Sequence, residues 1–431
     1  MTDPLALLRA SFDAAVVAAD PARVIGAALP PRPPGRVLVV GAGKAAASMA
    51  AAVEAVWPDV AGLVITRYGH ACPTRRIGVV EAGHPVPDEA GVVAAAEILR
   101  RAGELGPGDL LLALISGGGS SLLALPAPSI PMADLKAVTH ALLASGAPIE
   151  QINVLRKHLS RLAGGRLAAA AAARGAAVCA LIISDVTGDS PSDIASGPCA
   201  ADPSTYADAL AVLARWGVAA PASVRQHLVC GARGGLAETI KPGNPLFAQV
   251  ENRVIASAHQ SLVAAAEVFR AAGVTPVILG DTVTGEAREV AKVYAALARE
   301  IHSYGAPFAS PVALISGGEC TVSLAPGQRG RGGRCSEFLL SLAVALEGEG
   351  VHAIACDTDG IDGSEDNAGA VLDPGSVARA RAGGVEARTA LDAHDAWGFF
   401  AASDGLIVTG PTRTNVNDYR AILLAGVAGN R

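Results

Sequence analysis

The chain has 431 residues, 51% of them hydrophobic and 17% charged, with a formal charge of −6 at neutral pH. That length calls for two or three domains, and the apolar share is enough to build large cores, which excludes disorder and a single small binding module. No run of Lys or Arg supplies the basic stripe that a phosphate backbone requires, so nucleic acid is excluded as an expected partner.

Aromatic residues make up only 3% of the chain, and 49 glycines serve turns and close backbone approaches. Seven scattered cysteines, without a C-x-x-C pair, argue against a disulfide framework or structural zinc. The start, Met1 to Ala10, carries Asp3 and Pro4 where a secretory leader would be basic, so a cytoplasmic location is expected. Leu110 to Ala133 is uncharged and long enough to span a bilayer, but Gly117 to Gly119 and prolines 126, 128 and 131 divide it into strand, turn and loop. A membrane is not expected as a partner.

Along the chain, short apolar runs alternate with Ala-rich stretches of helical length, the rhythm of βαβ units. Strands are predicted at 36–40, 62–66, 110–115, 178–184, 253–256, 275–279, 311–315 and 352–356. Helices are predicted at 4–18, 44–56, 91–102, 132–144, 154–173, 259–272 and 287–304. The Gly- and Pro-rich stretch 231–245 places a domain boundary near residue 240, giving domains 1–240 and 241–431.

Val37 to Ala50 reads as strand, glycine turn and helix start. Gly41 and Gly43 would let backbone N–H groups approach an anion at the positive end of the helix, and Lys44 adds a full charge. Gly41, Gly43 and Ala46 also satisfy a relaxed dinucleotide fingerprint. An NAD site wants an acid at the end of the second strand, where this chain has Thr66 and Arg67, so NAD is disfavoured and NADP stays open. Lys44 is one of five lysines against 29 arginines, which points to a specific task such as stabilising charge on a transferring phosphoryl group. His84 reads as a turn residue. Ser116, Gly117, Gly118, Gly119 and Ser120 follow an apolar strand and would form a phosphate-binding nest or a tight turn. No P-loop motif occurs.

On the helix over 154–173, Arg156, Lys157 and Arg161 read as a solvated face at least as readily as a functional one. Asp185 ends a strand and Asp189 lies in the following loop, where each could hold Mg²⁺, accept a proton or cap a turn. A partial self-match joins LLALISGGGSSLLALP at 111–126 with VALISGGECTVSLAP at 312–326, making Gly317 and Gly318 the counterparts of the first glycine turn. Arg329, Arg331 and Arg334 gather on a flexible glycine frame suited to a carboxylate or phosphate. Asp357, Asp359 and Asp362 crowd a strand end and require neutralisation by a cation or a basic group.

Taken together, the stretches GAGKAA (41–46), GHPVPDEAG (83–91), SGGGSSLL (116–123), RKHLS (156–160), GGRLA (164–168), ISDVTGD (183–189), IASGP (194–198), SGGE (316–319), GRGGR (330–334), DTDGIDG (357–363) and TNVNDYR (414–420) resemble the class II glycerate 2-kinase family, whose bacterial members are often named as hydroxypyruvate reductases. The likeness covers almost the entire chain. It implies an α/β fold of two three-layer α/β/α domains with mainly parallel sheets, a Rossmann-like N-terminal domain and a MOFRL-type C-terminal domain, with the active site in the interdomain cleft. It further implies ATP-dependent phosphorylation of D-glycerate at the 2-hydroxyl, with Mg²⁺ required. Lys44 matches the family's active-site lysine and Arg334 the arginine of its GGR motif. Cys335 and Ser336 replace the usual Asn and Gln, Ala163 replaces a lysine, and Arg413 stands where glycine is frequent.

On this reading Lys44, Arg334 and Asp189 are the catalytic candidates. Gly41, Gly43, residues 116–120, Gly317 and Gly318 are the nucleotide- or phosphate-binding candidates, and Asp185 and Asp359 the metal candidates. D-glycerate and ATP are the expected partners, with a homodimer left open. The competing readings are an NADPH-dependent hydroxypyruvate reductase and, ranked last, a non-enzymatic sensor of nucleotide or carboxylate.

Overall fold

The structure is a computed structural model that describes residues 3–325, 327–346 and 349–425. The chain divides into two compact units, one of Pro21–Ile255 and one of Met1–Asp20 with Ala256–Arg431. The division falls beyond the boundary expected near 240, and the first helix joins the second unit. That helix, Pro4–Ala18, is started by Asp3 capping the Leu5 N–H and by Pro4 at its first position. Its buried face, Leu8, Phe12 and Ala15, packs against Leu262, Ala265 and Phe269 of helix Ala258–Ala271, which is what ties it there.

The first unit is built on strands β1 (Val37–Ala42), β2 (Ala61–Arg67), β3 (Ile77–Ala82), β4 (Leu110–Ile115), β5 (Ala177–Ile183) and β6 (Val250–Ala256), in the sheet order β3-β2-β1-β4-β5-β6. The pairs β1–β2, β2–β3, β1–β4 and β4–β5 are parallel. Every residue of β4 is buried, as expected of a strand covered on both faces. Leu111, Ala113 and Ile115 share a core with Ala94, Ala95 and Ile98 of helix Glu89–Ala102 and with Leu167 and Ala168 of helix Arg166–Ala172. A separate helical core joins Met132–Ala144, Ile149–Leu159, Tyr206–Arg215 and Ala222–Ala232 through Val138, Leu155, Val212 and Leu228.

The second unit keeps helices packed on a sheet but departs from the parallel pattern expected of it. Its strands are β7 (Thr275–Gly280), β8 (Gly285–Glu286), β9 (Val312–Ser316), β10 (Cys320–Thr321), β11 (His352–Asp357), β12 (Gly369–Leu372), β13 (Leu406–Ile407) and β14 (Asp418–Leu424). The main sheet runs β13-β12-β11-β14-β9-β7, and β8 pairs with β10 apart from it. Among the described residues only β7–β9 is parallel within the main sheet, because β14 inserts antiparallel between β9 and β11, and β12 returns antiparallel beside β11. Pro326, the last residue of the self-match, lies outside the described residues. No helix among the described residues is long and apolar enough to cross a membrane.

Candidate active site

In the first unit, β1 and β4 are neighbours from which the sheet continues in opposite directions, to β2 and β3 on one side and to β5 on the other. The crevice at such a switch point, beyond the carboxyl ends of the strands, is where open α/β sheets take ligands. The parallel pairing brings Lys44 after β1, residues 116–120 after β4 and Asp185 after β5 to the same edge of the sheet.

The turn after β1 differs from the expected anion cradle. Gly43 N–H donates to Ile65 O at 3.1 Å, Lys44 N–H to Gly117 O at 2.8 Å, Ala45 N–H to Ser116 Oγ at 3.0 Å and Ala46 N–H to Gly43 O at 3.1 Å. The amides that a phosphate would use are engaged inside the protein. Gly41 and Gly43 are required by packing instead, since a Cβ on Gly41 would strike Leu114 and one on Gly43 would strike Ser116. Ser116 is fully buried as the partner of the Ala45 N–H, so its role is to lock the two turns together.

The side chain of Lys44 brings a positive charge to this turn. It is half-buried and runs beside Gly118, which holds the left-handed φ of 80°. A Cβ on Gly118 would sit 2.8 Å from His84 Nε2 and 3.5 Å from Lys44 Cγ, so the turn's lack of a side chain is what lets the imidazole and the lysine stem flank it. His84, read from sequence as a turn residue, therefore stands beside Lys44. Gly119 packs on Ala195, and Ser120 Oγ lies 2.8 Å from Ser196 Oγ. Ala195 and Ser196 hold φ values of 52° and 59°, a strained pair of non-glycine residues of the kind that clusters at functional sites. Asp185 is half-buried just beyond β5, and Asp189, also with φ 52°, closes a turn through its N–H to Val186 O at 3.1 Å.

A cavity of about 500 Å³ opens beside this turn, lined in part by Ser120, Ser196 and Arg156. Arg156 and Lys157 are not the solvated face that the helix pattern allowed. Lys157 is buried 3.4 Å from both Asp193 and Asp202. Arg156 makes one hydrogen bond among the described residues, from Nη1 to Asn153 Oδ1 at 3.3 Å, and burial lowers its pKa from the ordinary value.

In the second unit, the three arginines expected on one glycine frame separate. Arg329 is exposed, and Arg331 stacks on Trp397 with its guanidinium 3.9 Å from the ring centre. Arg334 opens the buried helix Arg334–Leu346, where Nε donates to Asp418 Oδ1 at 2.8 Å and Nη2 to Asp357 Oδ2 at 2.7 Å, while Nη1 lies 3.3 Å from the exposed Glu319. Burial opposes the charge, but Asp418, Asp357 and Glu319 outweigh it and raise the Arg334 pKa well above its ordinary value. Asp418 Oδ2 also accepts from Arg420 Nη2 at 2.6 Å, and Arg420 Nη1 donates to Gly317 O at 3.1 Å. Gly317 and Gly318 thus tie the end of β9 to both neighbouring strands: Gly317 N–H donates to Gly280 O of β7 at 2.9 Å, and Gly318 O accepts the Asp418 N–H of β14 at 3.1 Å.

The crowded acids are neutralised by basic and amide groups. Asp357 takes Arg334, and Asp359 Oδ1 accepts the Ile361 N–H at 2.9 Å. Asp362 accepts the Cys335 and Ser336 N–H groups at 3.0 and 2.8 Å and the Ser336 hydroxyl at 2.6 Å, capping the buried helix. Burial raises its pKa despite those bonds. Ser336 therefore belongs to the cap and Cys335 to the core. Arg413, at the position where glycine is frequent, holds φ 61°. Among the described residues no group of three or more His, Cys, Asp or Glu is arranged to hold a metal ion. Sequence reasoning gave no role to Asp418 and Arg420, although both lie in the quoted run 414–420.

Comparison with known proteins gives two family matches: residues 7–229 match a domain of unknown function (DUF4147), and residues 312–418 match the MOFRL family. An Agrobacterium vitis protein named "Putative hydroxypyruvate reductase" is 54% identical over 421 residues, covering 97% of this chain and 94% of that one. The glycerate 2-kinase of Pyrococcus horikoshii is 39% identical over 399 residues, covering 92% of this chain and 88% of its own length. The crystal structure of a glycerate kinase from Thermotoga maritima superposes with a TM-score of 0.84 at 37% identity, covering 97% of this chain and 99% of that one.

Proposed function

The chain belongs to the glycerate kinase family, and we propose that it transfers the γ-phosphoryl group of ATP, brought as its Mg²⁺ complex, to the 2-hydroxyl of D-glycerate, giving 2-phosphoglycerate and ADP. The observation that carries this reading is the half-buried Lys44 side chain at the switch point between β1 and β4, with the surrounding amides already engaged. Phosphoryl transfer asks the protein mainly for positioning and for charge stabilisation, and a fixed ammonium beside a glycine turn supplies the second.

Asp185 and Asp189, on the loop after β5, are the carboxylates proposed to meet the metal on ATP and the acceptor hydroxyl. A resident metal cage does not fit, since among the described residues no three acids are grouped for it. A magnesium ion arriving on ATP needs only one or two carboxylates. Asp359, buried and bonded within its own loop, suits that task less well than Asp185. Arg334 is held on one side by buried Asp357 and Asp418. Among the described residues its Nη1 pairs with the exposed Glu319 alone, so an anionic reactant would compete with that one carboxylate. Seven cysteines without a disulfide support a reducing, cytoplasmic setting.

The name of the Agrobacterium relative favours a second reading, NADPH-dependent reduction of hydroxypyruvate. Against it, a dinucleotide pyrophosphate is held by free amides at the helix start, and here those amides are bonded to Gly117 and Ser116. The test is to supply the protein with D-glycerate and MgATP, and separately with hydroxypyruvate and NADPH. ADP and 2-phosphoglycerate are expected in the first and no NADPH oxidation in the second; oxidation without ADP release would overturn the kinase.

A further inference from the structure

The cavity beside the turn at 116–120 combines two features that ask for one kind of occupant. Its walls are mostly apolar, with Leu123, Leu125, Leu135 and Leu162 among them, and its volume is about 500 Å³. A three-carbon hydroxy acid would leave most of that space empty and would find few polar partners. A nucleoside-sized body fits the range typical of small-molecule sites.

Among the polar residues of the lining are Ser120, Ser196 and Arg156. These are connected: Ser120 Oγ to Ser196 Oγ at 2.8 Å, Ser196 Oγ to Asn153 Oδ1 at 3.2 Å, and Arg156 Nη1 to the same Asn153 oxygen at 3.3 Å. Arg156 has no carboxylate within ion-pair distance among the described residues, and burial is the sole cause moving its pKa. Its neighbour Lys157 is flanked by two aspartates. Lys136, the other full cation in the lining, feels Asp88. A desolvated guanidinium without a counter-charge is costly, and it becomes favourable when a ligand brings the anion.

We propose that this cavity takes the nucleoside end of the nucleotide, with the base against the leucines and Arg156 facing the first phosphates. The inference rests on the kinase reading for its choice of nucleotide, and it adds Arg156 to that site as a binding residue. From Ser120 the phosphate chain then continues along the glycine turn to Gly118, where Lys44 and His84 stand.

The test is calorimetric titration of ADP and of adenosine into wild type, Arg156→Gln, Arg156→Lys and Thr139→Trp, together with KM for ATP and for D-glycerate. Thr139 lines the cavity from a half-exposed position on helix Met132–Ala144, so a larger side chain there fills space without entering the core. Arg156→Gln is expected to weaken ADP about tenfold or more and adenosine little. Thr139→Trp is expected to weaken both, with KM for D-glycerate within about twofold in every variant. Should Arg156→Gln fail to fold, Arg156→Lys, which keeps charge but loses the fork, is expected to weaken ADP in the same direction. Unchanged ADP binding in folded variants, or a rise confined to the KM for D-glycerate, would overturn the proposal. ADP binding that both variants weaken, without 2-phosphoglycerate formation by wild type, would remove the kinase reading and keep this site. Product formation with nucleotide binding indifferent to both would do the reverse.

Discussion

Arg334 and Asp418 are joined by a 2.8 Å hydrogen bond across 84 positions of sequence, and Asp418 gives its other oxygen to Arg420. One fully buried carboxylate thus holds two guanidiniums, one of them also fully buried. Asp418→Asn should leave Arg420 and part of Arg334 without compensation. Loss of one partner from a buried ion pair costs about 3–5 kcal/mol. Urea unfolding monitored by circular dichroism should register a fall of that order, and a variant as stable as wild type would show that the network is not cohesive.

Lys44 is tied to the fold through its main chain, since its N–H reaches Gly117 O while its side chain runs past Gly118. Lys44→Ala should therefore keep the melting temperature and lower kcat roughly a hundred- to thousandfold, as loss of a transition-state charge partner does. Near-normal turnover in the folded variant would remove the ammonium from the reaction.

Gly118 tests the same site from the other side. Gly118→Ala puts a methyl group 2.8 Å from His84 Nε2 at a φ of 80°, which costs about 1–2 kcal/mol in backbone strain and displaces the imidazole or the lysine stem. Misplacement of a reacting group by an ångström costs roughly a hundredfold in rate. Activity should fall far more than stability; equal losses in the two would make the glycine purely structural.

The strand-turn-helix around Lys44 was legible because periodicity, glycines and a rare lysine coincide within a dozen residues, and helices 4–18, 132–144 and 287–304 match their expected bounds. The helix expected over 154–173 is two helices. Ser160 Oγ accepts the Leu162 and Ala163 N–H groups, and Gly164 and Gly165 take φ values of 60° and 80° between them. Strand β14 escaped notice since it carries a fully buried arginine, and such a residue is tolerable in a strand only when its partners, here Asp418 two positions away and the distant Gly317 O, are known. Arg156 escaped for a related reason: helical periodicity cannot tell a solvated face from one covered by another helix.

Asp109 provides a control remote from the chemistry. It precedes β4 at the amino edge of the sheet, where its carboxylate accepts the Arg36 N–H at 2.8 Å, Arg36 Nη2 at 2.7 Å and the Gly106 N–H at 3.0 Å. The Arg36 side chain, together with these N–H groups, outweighs burial and lowers the carboxyl pKa from 3.8 to about 2. A depressed carboxylate binds protons more readily in the unfolded chain, so its contribution to stability is present above about pH 4 and is lost as pH falls towards about 2. Asp109→Asn should accordingly be less stable than wild type at neutral pH, and its stability should fall less steeply across that acid window. Since the carboxyl ends of the strands are untouched, kcat and both KM values should stay at the wild-type level. Unfolding curves with the same acid slope in both proteins would separate Asp109 from the acid sensitivity of the first unit.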